Sequence, residues 1–119
     1  VEPEKITFNA MDEALLKRAM AIVEKNMDNI EFSTDEFARE MNMSRSNLHL
    51  KLKAITGEST IDFIRKIRFN EAAKLLKDGR YTVAEVSTMV GFNTPSYFAT
   101  SFKKYFGCLP TEYIKKSKG

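Results

Sequence analysis

The chain has 119 residues, of which 43% are apolar, and its 19 Lys and Arg against 16 Asp and Glu give a net charge of +3. This length fits one domain whose core buries roughly two thirds of the unfolded surface, and it excludes a second large domain. One cysteine excludes an internal disulfide, and a single histidine leaves no cluster typical of a zinc site, so we expect no metal, no cofactor and no Cys/His catalysis.

No stretch of the sequence is apolar enough to cross a membrane. The longest apolar run, Ala19 to Val23, is five residues long, against the ~20 that span a bilayer. The chain begins with Val1, and no charged segment followed by an apolar one opens it. We therefore expect a cytoplasmic protein without membrane contact, in which residues 1–11 are a linker or tail from a longer chain and residues 12–119 are the domain.

Charge is distributed unevenly along the chain. Residues 1–43 contain 5 basic and 10 acidic side chains, a net charge of −5, whereas residues 44–119 contain 14 basic and 6 acidic, a net charge of +8. A basic body behind an acidic first segment favours a nucleic-acid-binding surface on the later part. Chance asymmetry on a solvated surface is the alternative.

Apolar residues recur at helical spacing along the whole chain, and the alternation and paired turns typical of strands are missing, so the sequence predicts an all-α domain. The first predicted helix starts near Asp12 and stops within the Asn26 to Ile30 stretch. Its apolar stripe is Leu15, Leu16, Ala19, Met20, Ile22 and Val23.

The next two predicted helices form a helix-turn-helix over about residues 33–57. Ser33 and Glu36 have the spacing of a capping box, in which each side chain accepts a hydrogen bond from a free backbone N–H, so a short helix to about Met41 is expected. Ser44 caps the second helix, and Gly57 ends it by allowing a left-handed backbone. The inward residues of this second helix are Leu48, Leu52 and Ile55.

A longer linker helix is predicted over about residues 59–77. Ser59 or Thr60 opens it, and Asp78 with Gly79 closes it. At ~1.5 Å per residue it is a rod of about 25 Å. Its predicted inward residues are Ile61, Ile64, Ile67, Ala72, Leu75 and Leu76.

A second helix-turn-helix follows over about residues 82–107. Thr82 and Glu85 have the spacing of a second capping box, and Gly91 supplies a turn. Thr94 caps the next helix, with Pro95 in its first turn. The inward residues of this helix, which ends at Gly107, are Phe98, Phe102 and Tyr105.

The two helix-turn-helix segments align with each other. Ser33 and Glu36 match Thr82 and Glu85 at a shift of 49 residues. At a shift of 50, Ser44, Leu48, Leu52, Gly57, Phe63 and Ile64 match Thr94, Phe98, Phe102, Gly107, Tyr113 and Ile114. A doubled short helix, tight turn and longer helix, joined by a linker helix, predicts a tandem helix-turn-helix.

The second helix of each segment offers an outward face when residues are placed at 100° steps. In the first segment this face holds Arg45, Ser46, His49, Leu50 and Lys53. In the second it holds Ser96, Ala99, Thr100 and Lys103. Such a face suits the DNA major groove, where hydroxyls bond base edges, an apolar group touches a thymine methyl, and Lys or Arg reaches guanine or phosphate.

Each of these assignments has a plainer alternative. His49 can be an ordinary surface histidine, Leu50 a lone exposed apolar residue, and the lysines solubilising groups. Two of the lysines, however, occupy equivalent places in both segments. Three cations of the linker helix either reach DNA or pair with carboxylates, and they are Arg65, Lys66 and Arg68.

From about Leu15 to Ile114 the sequence resembles the DNA-binding domain of AraC/XylS-type transcription regulators. The second segment carries Gly91-Phe92, Ser96-Tyr97-Phe98, Phe102-Lys103-Lys104, Gly107, Pro110 and Tyr113 of the family signature. The first carries Met43-Ser44-Arg45-Ser46, Leu48, Leu52-Lys53, Thr56-Gly57 and Arg68, followed by Ala72 and Leu75-Leu76. The segment Ser44-Arg45-Ser46 is most similar to C-terminal output domains of hybrid two-component regulators in Bacteroides-like bacteria.

The resemblance implies seven helices, with both recognition helices entering successive major-groove segments on one face of the duplex. Base contacts are implied for Ser46, His49, Leu50, Ser96, Ala99 and Thr100, and we add Arg45 from its outward position. Phosphate contacts are predicted for Ser44, Lys53, Thr94, Lys103 and Lys104. Family members often have Arg or Gln where this chain has Leu50, Ala99 and Thr100, so we expect the second segment to read sequence weakly and to anchor on phosphate.

These observations lead to the hypothesis of a non-enzymatic, sequence-specific binder of double-stranded promoter or operator DNA, the output domain of a bacterial transcription regulator. RNA polymerase and upstream sensor or receiver domains of the parent chain are the expected partners. A helical protein-interaction module is the alternative, but it needs larger apolar anchors than Ser46 or Ser96 provides. An enzyme is disfavoured because His49 has no orienting carboxylate at helical spacing.

Overall fold

The computed structural model describes residues 10–118, which form seven α-helices and no β-strand. The predicted all-α, tandem helix-turn-helix fold is confirmed. Residues 1–9 of the predicted tail lie outside the described residues. The helices are α1 (Ala10–Lys25), α2 (Thr34–Glu40), α3 (Arg45–Thr56), α4 (Thr60–Asp78), α5 (Val83–Met89), α6 (Pro95–Phe106) and α7 (Pro110–Lys118).

The chain divides into two compact units, each with one helix-turn-helix. Within residues 10–118, the first unit holds residues 10–25 and 32–65, and the second holds residues 26–31 and 66–118. Helix α4 therefore begins in the first unit and ends in the second. The short stretch 26–31, directly after α1, belongs to the second unit.

Helix α1 starts at Ala10, two residues before the expected start at Asp12. The predicted apolar stripe is wrong at Met20, which is exposed. The buried face is narrower than the predicted stripe because it follows only the i, i+3, i+4 spacing of Ala19, Ile22 and Val23. Leu15 and Leu16 are half-buried.

The core of the first unit forms around Phe37, which is fully buried. Its ring lies 5.8 Å from that of Phe32 and stacks at 6.1 Å on that of Phe63 from α4. Leu48 and Leu52 of α3 are fully buried, and Ile55 almost so, as the helical spacing predicted. One face of α3 is thus fixed in the core, and the opposite face is left outward.

The start of α2 shows only half of the predicted capping box. The Ser33 hydroxyl accepts a hydrogen bond from the N–H of Glu36 at 3.2 Å. The Glu36 carboxylate, however, pairs with Arg39 at 3.4 Å instead of turning back to Ser33. A basic residue one turn along the helix competes successfully for the carboxylate.

Helix α4 starts at a cap provided by Ser59, whose hydroxyl accepts a hydrogen bond from the N–H of Asp62 at 3.1 Å. The expectation that Ile61 faces inward is wrong, since 55% of this residue is exposed. Phe63 and Ile64 fill the core at this end of the helix. In the second unit the buried residues of α4 are Phe69, Ala72, Ala73 and Leu76, with Ile67 and Leu75 half-buried.

The core of the second unit is aromatic. The buried Phe69 ring lies 6.4 Å from Phe98 and 6.2 Å from Phe102, and Phe102 lies 4.5 Å from Phe106. The prediction that Tyr105 is buried is wrong, because this residue is half-exposed while its ring stacks on Phe69 at 5.0 Å. Phe106, at the i+4 position from Phe102, packs against the core in its place.

Arg68 is a buried cation that joins two chain segments of the second unit. Its guanidinium donates hydrogen bonds to the carbonyl oxygens of Asn26, Asn29 and Gly91 at 3.3, 2.9 and 3.0 Å. Burial lowers the pKa of Arg68, while the negative charge of Asp28 acts in the opposite direction. The structure thus gives Arg68 hydrogen-bond partners that the sequence did not indicate, backbone carbonyl oxygens, with the carboxylate of Asp28 acting on it electrostatically.

The turn between α5 and α6 is built around Gly91. Its φ of +83° lies in the left-handed region that favours glycine. A Cβ atom there would collide with the guanidinium of Arg68 and lie 2.6 Å from the carbonyl oxygen of Met27. Glycine is therefore required twice at this position, by its backbone angle and by the approach of Arg68.

Candidate nucleic-acid interface

Helix α3 presents the first candidate surface. The hydroxyl of Ser44 accepts a hydrogen bond from the N–H of Asn47 at 3.1 Å and so fixes the start of the helix. Gly57 ends the helix with a φ of +80°. All of the outward residues predicted on this helix are exposed, namely Arg45, Ser46, His49, Leu50 and Lys53. The structure therefore brings these five side chains to one surface of the first unit.

Arg45 already has a partner within the first unit. Its guanidinium Nη1 lies 3.1 Å from Oδ1 of Asp35, in the first turn of α2. Both side chains are largely exposed, so the pair is screened by water and contributes little to stability. It does hold Arg45 at the start of α3, where a duplex phosphate or base would have to displace Asp35.

A groove of about 600 Å³ lies beside the outward face of α3, at the start of α4, and we call it the α3–α4 groove. Its lining residues are Thr34, Arg45, Ser46, His49, Leu50, Ser59, Thr60 and Ile61. Leu50 is 64% exposed, and Ile61 faces the same groove. The groove combines two large apolar side chains with hydroxyls, an imidazole and a guanidinium.

Helix α6 presents the second candidate surface. The Thr94 hydroxyl accepts a hydrogen bond from the N–H of Tyr97 at 3.2 Å, and Pro95 follows it as the first helical residue. Ser96 and Thr100 are exposed, as predicted, while Ala99 is half-buried. The Thr100 hydroxyl donates a hydrogen bond to the carbonyl oxygen of Ser96 at 3.0 Å. The hydroxyl hydrogen of Thr100 is thus used within the helix, so its oxygen can only accept a hydrogen bond from a partner outside.

The three predicted phosphate-binding lysines, Lys53, Lys103 and Lys104, are all exposed. Lys53 and Lys103 occupy the same position relative to the caps of their helices, one turn before Gly57 and Gly107. Among residues 10–118, none of the three is engaged in an ion pair of the kind that holds Arg45. Their contacts with phosphate, like the base contacts above, stay predictions.

Sequence reasoning missed three residues of these surfaces. The spacing of Ile61 predicts an inward residue, and Asp35 gives no local signal because its partner Arg45 is ten residues away. Tyr97 is 53% exposed beside Ser96, and its ring lies 5.5 Å from the ring of Phe92. Its neighbour Ser96 was the available signal, since residues adjacent to an outward position lie near the edge of the same face.

Two further classes of site are not found among the described residues. In residues 10–118, no group of three or more His, Cys, Asp or Glu is arranged to hold a metal ion. Over the same range, no helix has the length and apolar character needed to span a membrane.

Comparison with known proteins identifies relatives with the same architecture. A family model described as a helix-turn-helix domain matches residues 37–116. The chain is 40% identical over 113 residues to histidine kinase P4 of Formosa agariphila, a match that covers 95% of this chain and 8% of that protein. Across eight curated relatives, the chain spans between 8% and 36% of their length.

Solved structures of other proteins have the same fold as this chain. The C-terminal domain of AraT, a response regulator from Geobacillus stearothermophilus, superposes with a TM-score of 0.79 at 30% identity, covering 86% of this chain and 84% of that one. The DNA-binding domain of AdpA, solved in complex with a target DNA, shares the fold, with a TM-score of 0.77 at 24% identity over 86% of this chain and 90% of that one. The chain belongs to the AraC-type family of helix-turn-helix domains, the domains of transcription regulators.

Proposed function

We propose that this chain is a sequence-specific binder of double-stranded DNA and the output domain of a bacterial transcription regulator, in which α3 and α6 each enter a segment of the major groove. One observation carries the proposal. Helices α3 and α6 both begin at a hydroxyl cap, bury an apolar i, i+4 pair and end at a glycine. At aligned positions, each exposes a serine in its first turn and a lysine two turns later.

The dimensions of the two surfaces suit a duplex. An α-helix with its side chains is ~10–12 Å across, close to the ~12 Å width of the major groove of B-DNA. Ser46 and Ser96 are small enough for close approach to base edges. Lys53 and Lys103, nearer the helix ends, are long enough to reach phosphate, where binding releases counterions from the duplex.

Helices α3 and α6 have different proposed roles in DNA binding. Arg45, His49 and Leu50 give α3 three chemically distinct groups for direct readout, whereas the aligned positions of α6 hold Pro95, Ala99 and Thr100. We infer that α3 reads bases and that α6 mainly anchors through its capped N-terminus, Lys103 and Lys104.

The parent protein is proposed to be a two-component regulator. The similarity to a small part of histidine kinase P4 and to the C-terminal domain of the response regulator AraT supports a domain fused to sensor or receiver segments. In that setting the chain acts in the bacterial cytoplasm, presents bound promoters to RNA polymerase and performs no chemistry of its own.

The test is a selection of bound duplexes from a random pool, followed by titration of a recovered duplex at several salt concentrations. Replacing Arg45, Lys53 and Lys103 together by Ala should weaken binding strongly. It should flatten the slope of log K against log salt by about two units, because Lys53 and Lys103 are the two proposed phosphate contacts and each lost contact removes ~0.9. The charge-matched control replaces Lys17, Lys25 and Lys74 by Ala, three exposed cations that lie on α1 and α4 and not on a recognition helix. Duplex binding that is unchanged in the first variant, or reduced equally in the control, contradicts the proposal.

A further inference from the structure

We propose that the α3–α4 groove reads a thymine through its 5-methyl group, with Leu50 as the contacting side chain and Ile61 as the second apolar wall. The inference rests on the proposed DNA-binding function and deepens it, because it names the base that the first helix-turn-helix recognises. It also adds Ile61, a residue of α4, to the reading surface of α3.

The first argument is the placement of two apolar side chains. A single exposed leucine is common on protein surfaces and needs no explanation. Here, Leu50 at 64% and Ile61 at 55% exposure come from different helices of the first unit and line the same concave surface. A groove of about 600 Å³ has room for the edge of a base, and an apolar group on that edge would be stabilised by contact with these two side chains.

The second argument is the charge around this groove. Its lining contains no carboxylate, and the charged group it does contain is the guanidinium of Arg45, whose partner Asp35 lies outside the lining and would be displaced by an anion. Hydroxyls of Ser46 and Ser59 and the imidazole of His49 supply the remaining polar contacts. A partner that is anionic overall but has a small apolar spot fits this lining better than an apolar helix of another protein, which would need a wide apolar surface.

Major-groove chemistry then narrows the partner to one base. Of the four bases, only thymine displays a methyl group in the major groove, next to its O4 acceptor. Leu50 follows His49 directly and lies opposite the buried face of α3, so it points where a recognition helix meets base edges. The second unit lacks this pair of apolar side chains, because the residues aligned with Leu50 and Ile61 are Thr100 and Thr111.

Uracil substitution tests the inference because uracil pairs like thymine and lacks only the methyl group. In a duplex recovered by selection, each thymine is replaced singly by deoxyuridine, and the dissociation constant of the chain is measured by fluorescence anisotropy at fixed salt. At one or two thymines, the substitution should weaken binding by about fourfold, the equivalent of one buried methyl group.

The variants assign that loss to the groove. In Leu50→Ala the uracil penalty at those positions should fall below about twofold, and in Ile61→Ala it should be reduced, because the methyl group is no longer enclosed. The control is Met11→Ala, which truncates an apolar residue of the same unit that is 81% exposed on α1 and should leave the penalty unchanged. Since all three residues are exposed, the truncations should fold, which circular dichroism checks.

The possible outcomes separate the two proposals. Failure to recover any bound duplex contradicts the DNA-binding function itself. Recovered sites without a fixed thymine, or uracil penalties that are the same in the wild type, Leu50→Ala and Ile61→Ala, contradict the groove as a thymine reader and leave DNA binding intact. A uracil penalty that is reduced in Leu50→Ala and Ile61→Ala but unchanged in Met11→Ala supports it.

Discussion

The two helix-turn-helix segments of this chain are alike where they fold and different where they face outward. Both recognition helices start at a hydroxyl cap, bury an i, i+4 apolar pair and end at a left-handed glycine, with φ of +80° at Gly57 and +83° at Gly107. Outward, His49 and Leu50 in one align with Ala99 and Thr100 in the other. The shared positions are those that a helix needs in order to form and pack, so the divergent ones are where separate roles in recognition can reside.

The interiors of the two units differ as well, and this difference gives the largest expected effect. Phe102 lies within 4.5 to 6.2 Å of the rings of Phe69, Phe98, Phe106 and Tyr113, whereas the aligned Leu52 packs in a core with fewer rings. Phe102→Ala should lower the free energy of unfolding by about 3–5 kcal/mol, because the surrounding rings cannot close the cavity. Urea unfolding followed by circular dichroism measures it.

Leu52→Ala is the matched change in the first unit, with an expected loss of about 2–5 kcal/mol that falls below that of Phe102→Ala. A larger loss for the leucine would show that the aromatic cluster is not the more sensitive of the two cores.

The guanidinium of Arg68 is buried, whereas in the first unit the guanidinium of Arg18, which donates to the carbonyl oxygen of Glu40 at 3.2 Å, is exposed. Removal of the Arg68 guanidinium should have the next largest effect. Arg68→Met keeps the apolar stem but removes the guanidinium donor from the carbonyl oxygens of Asn29 and Gly91, while the carbonyl oxygen of Asn26 keeps the N–H of Asn29 at 3.0 Å. The expected cost is about 3 kcal/mol, since each buried polar group left unpaired costs ~1–3. Thermal unfolding measures the loss.

Arg65→Met is the control for that experiment, because Arg65 lies on the same helix and is exposed. It should change stability by less than about 0.5 kcal/mol. Equal losses of stability in the two variants would contradict a stabilising role for the hydrogen bonds of the Arg68 guanidinium.

Removing the capping groups of the two short helices, α2 and α5, should lower stability by less than the loss of Arg68 does. Thr82 and Glu85 form a complete capping box, with hydrogen bonds of 3.0 and 2.9 Å, whereas Ser33 has only its own half. Thr82→Ala and Ser33→Ala should each cost about 1 kcal/mol of stability. Glu85→Ala should cost more than Glu36→Ala, and chemical denaturation of the four variants tests the order.

The ion pair between Asp35 and Arg45 is present in the first segment only, since the aligned residues of the second are Ala84 and Pro95. Asp35→Asn removes a carboxylate that competes with DNA for the guanidinium, and it should tighten duplex binding by about two- to threefold, a free energy within the range of an exposed ion pair. Anisotropy titration at fixed salt measures the change.

Asp78→Asn is the matched control, because it removes the same charge from another exposed ion pair, with Arg80 at 2.8 Å. An equal gain in both variants would mean that net charge, and not competition for Arg45, is responsible.

The sequence could predict those features that depend on residues close together along the chain. Caps such as Ser44 and Thr94 and the terminal glycines are decided within three or four residues, so they could be predicted from spacing alone. The outward faces of α3 and α6 also follow from local periodicity. The main boundary error, the earlier start of α1, lies at a helix end, where local signals are weakest.

The features that could not be predicted depend on tertiary contacts. Arg68 meets carbonyl oxygens 23 to 42 residues away, and no local pattern indicates that. Ile61 has the spacing of an inward residue, but Phe63 and Ile64 fill the core beside it. Tyr105 is displaced from the interior by Phe106 for a similar reason: two large neighbours compete for one place against Phe69.

Two parallel selections from one random pool, with His49→Ala and with Thr100→Ala, test whether α3 reads bases while α6 anchors. Both residues are exposed at outward positions, and each substitution leaves the core of its unit intact. We expect His49→Ala to relax the preferred sequence in one half of the recovered site and Thr100→Ala to return the motif of the wild type. Equal relaxation in both selections, or relaxation with Thr100→Ala alone, would contradict that expectation.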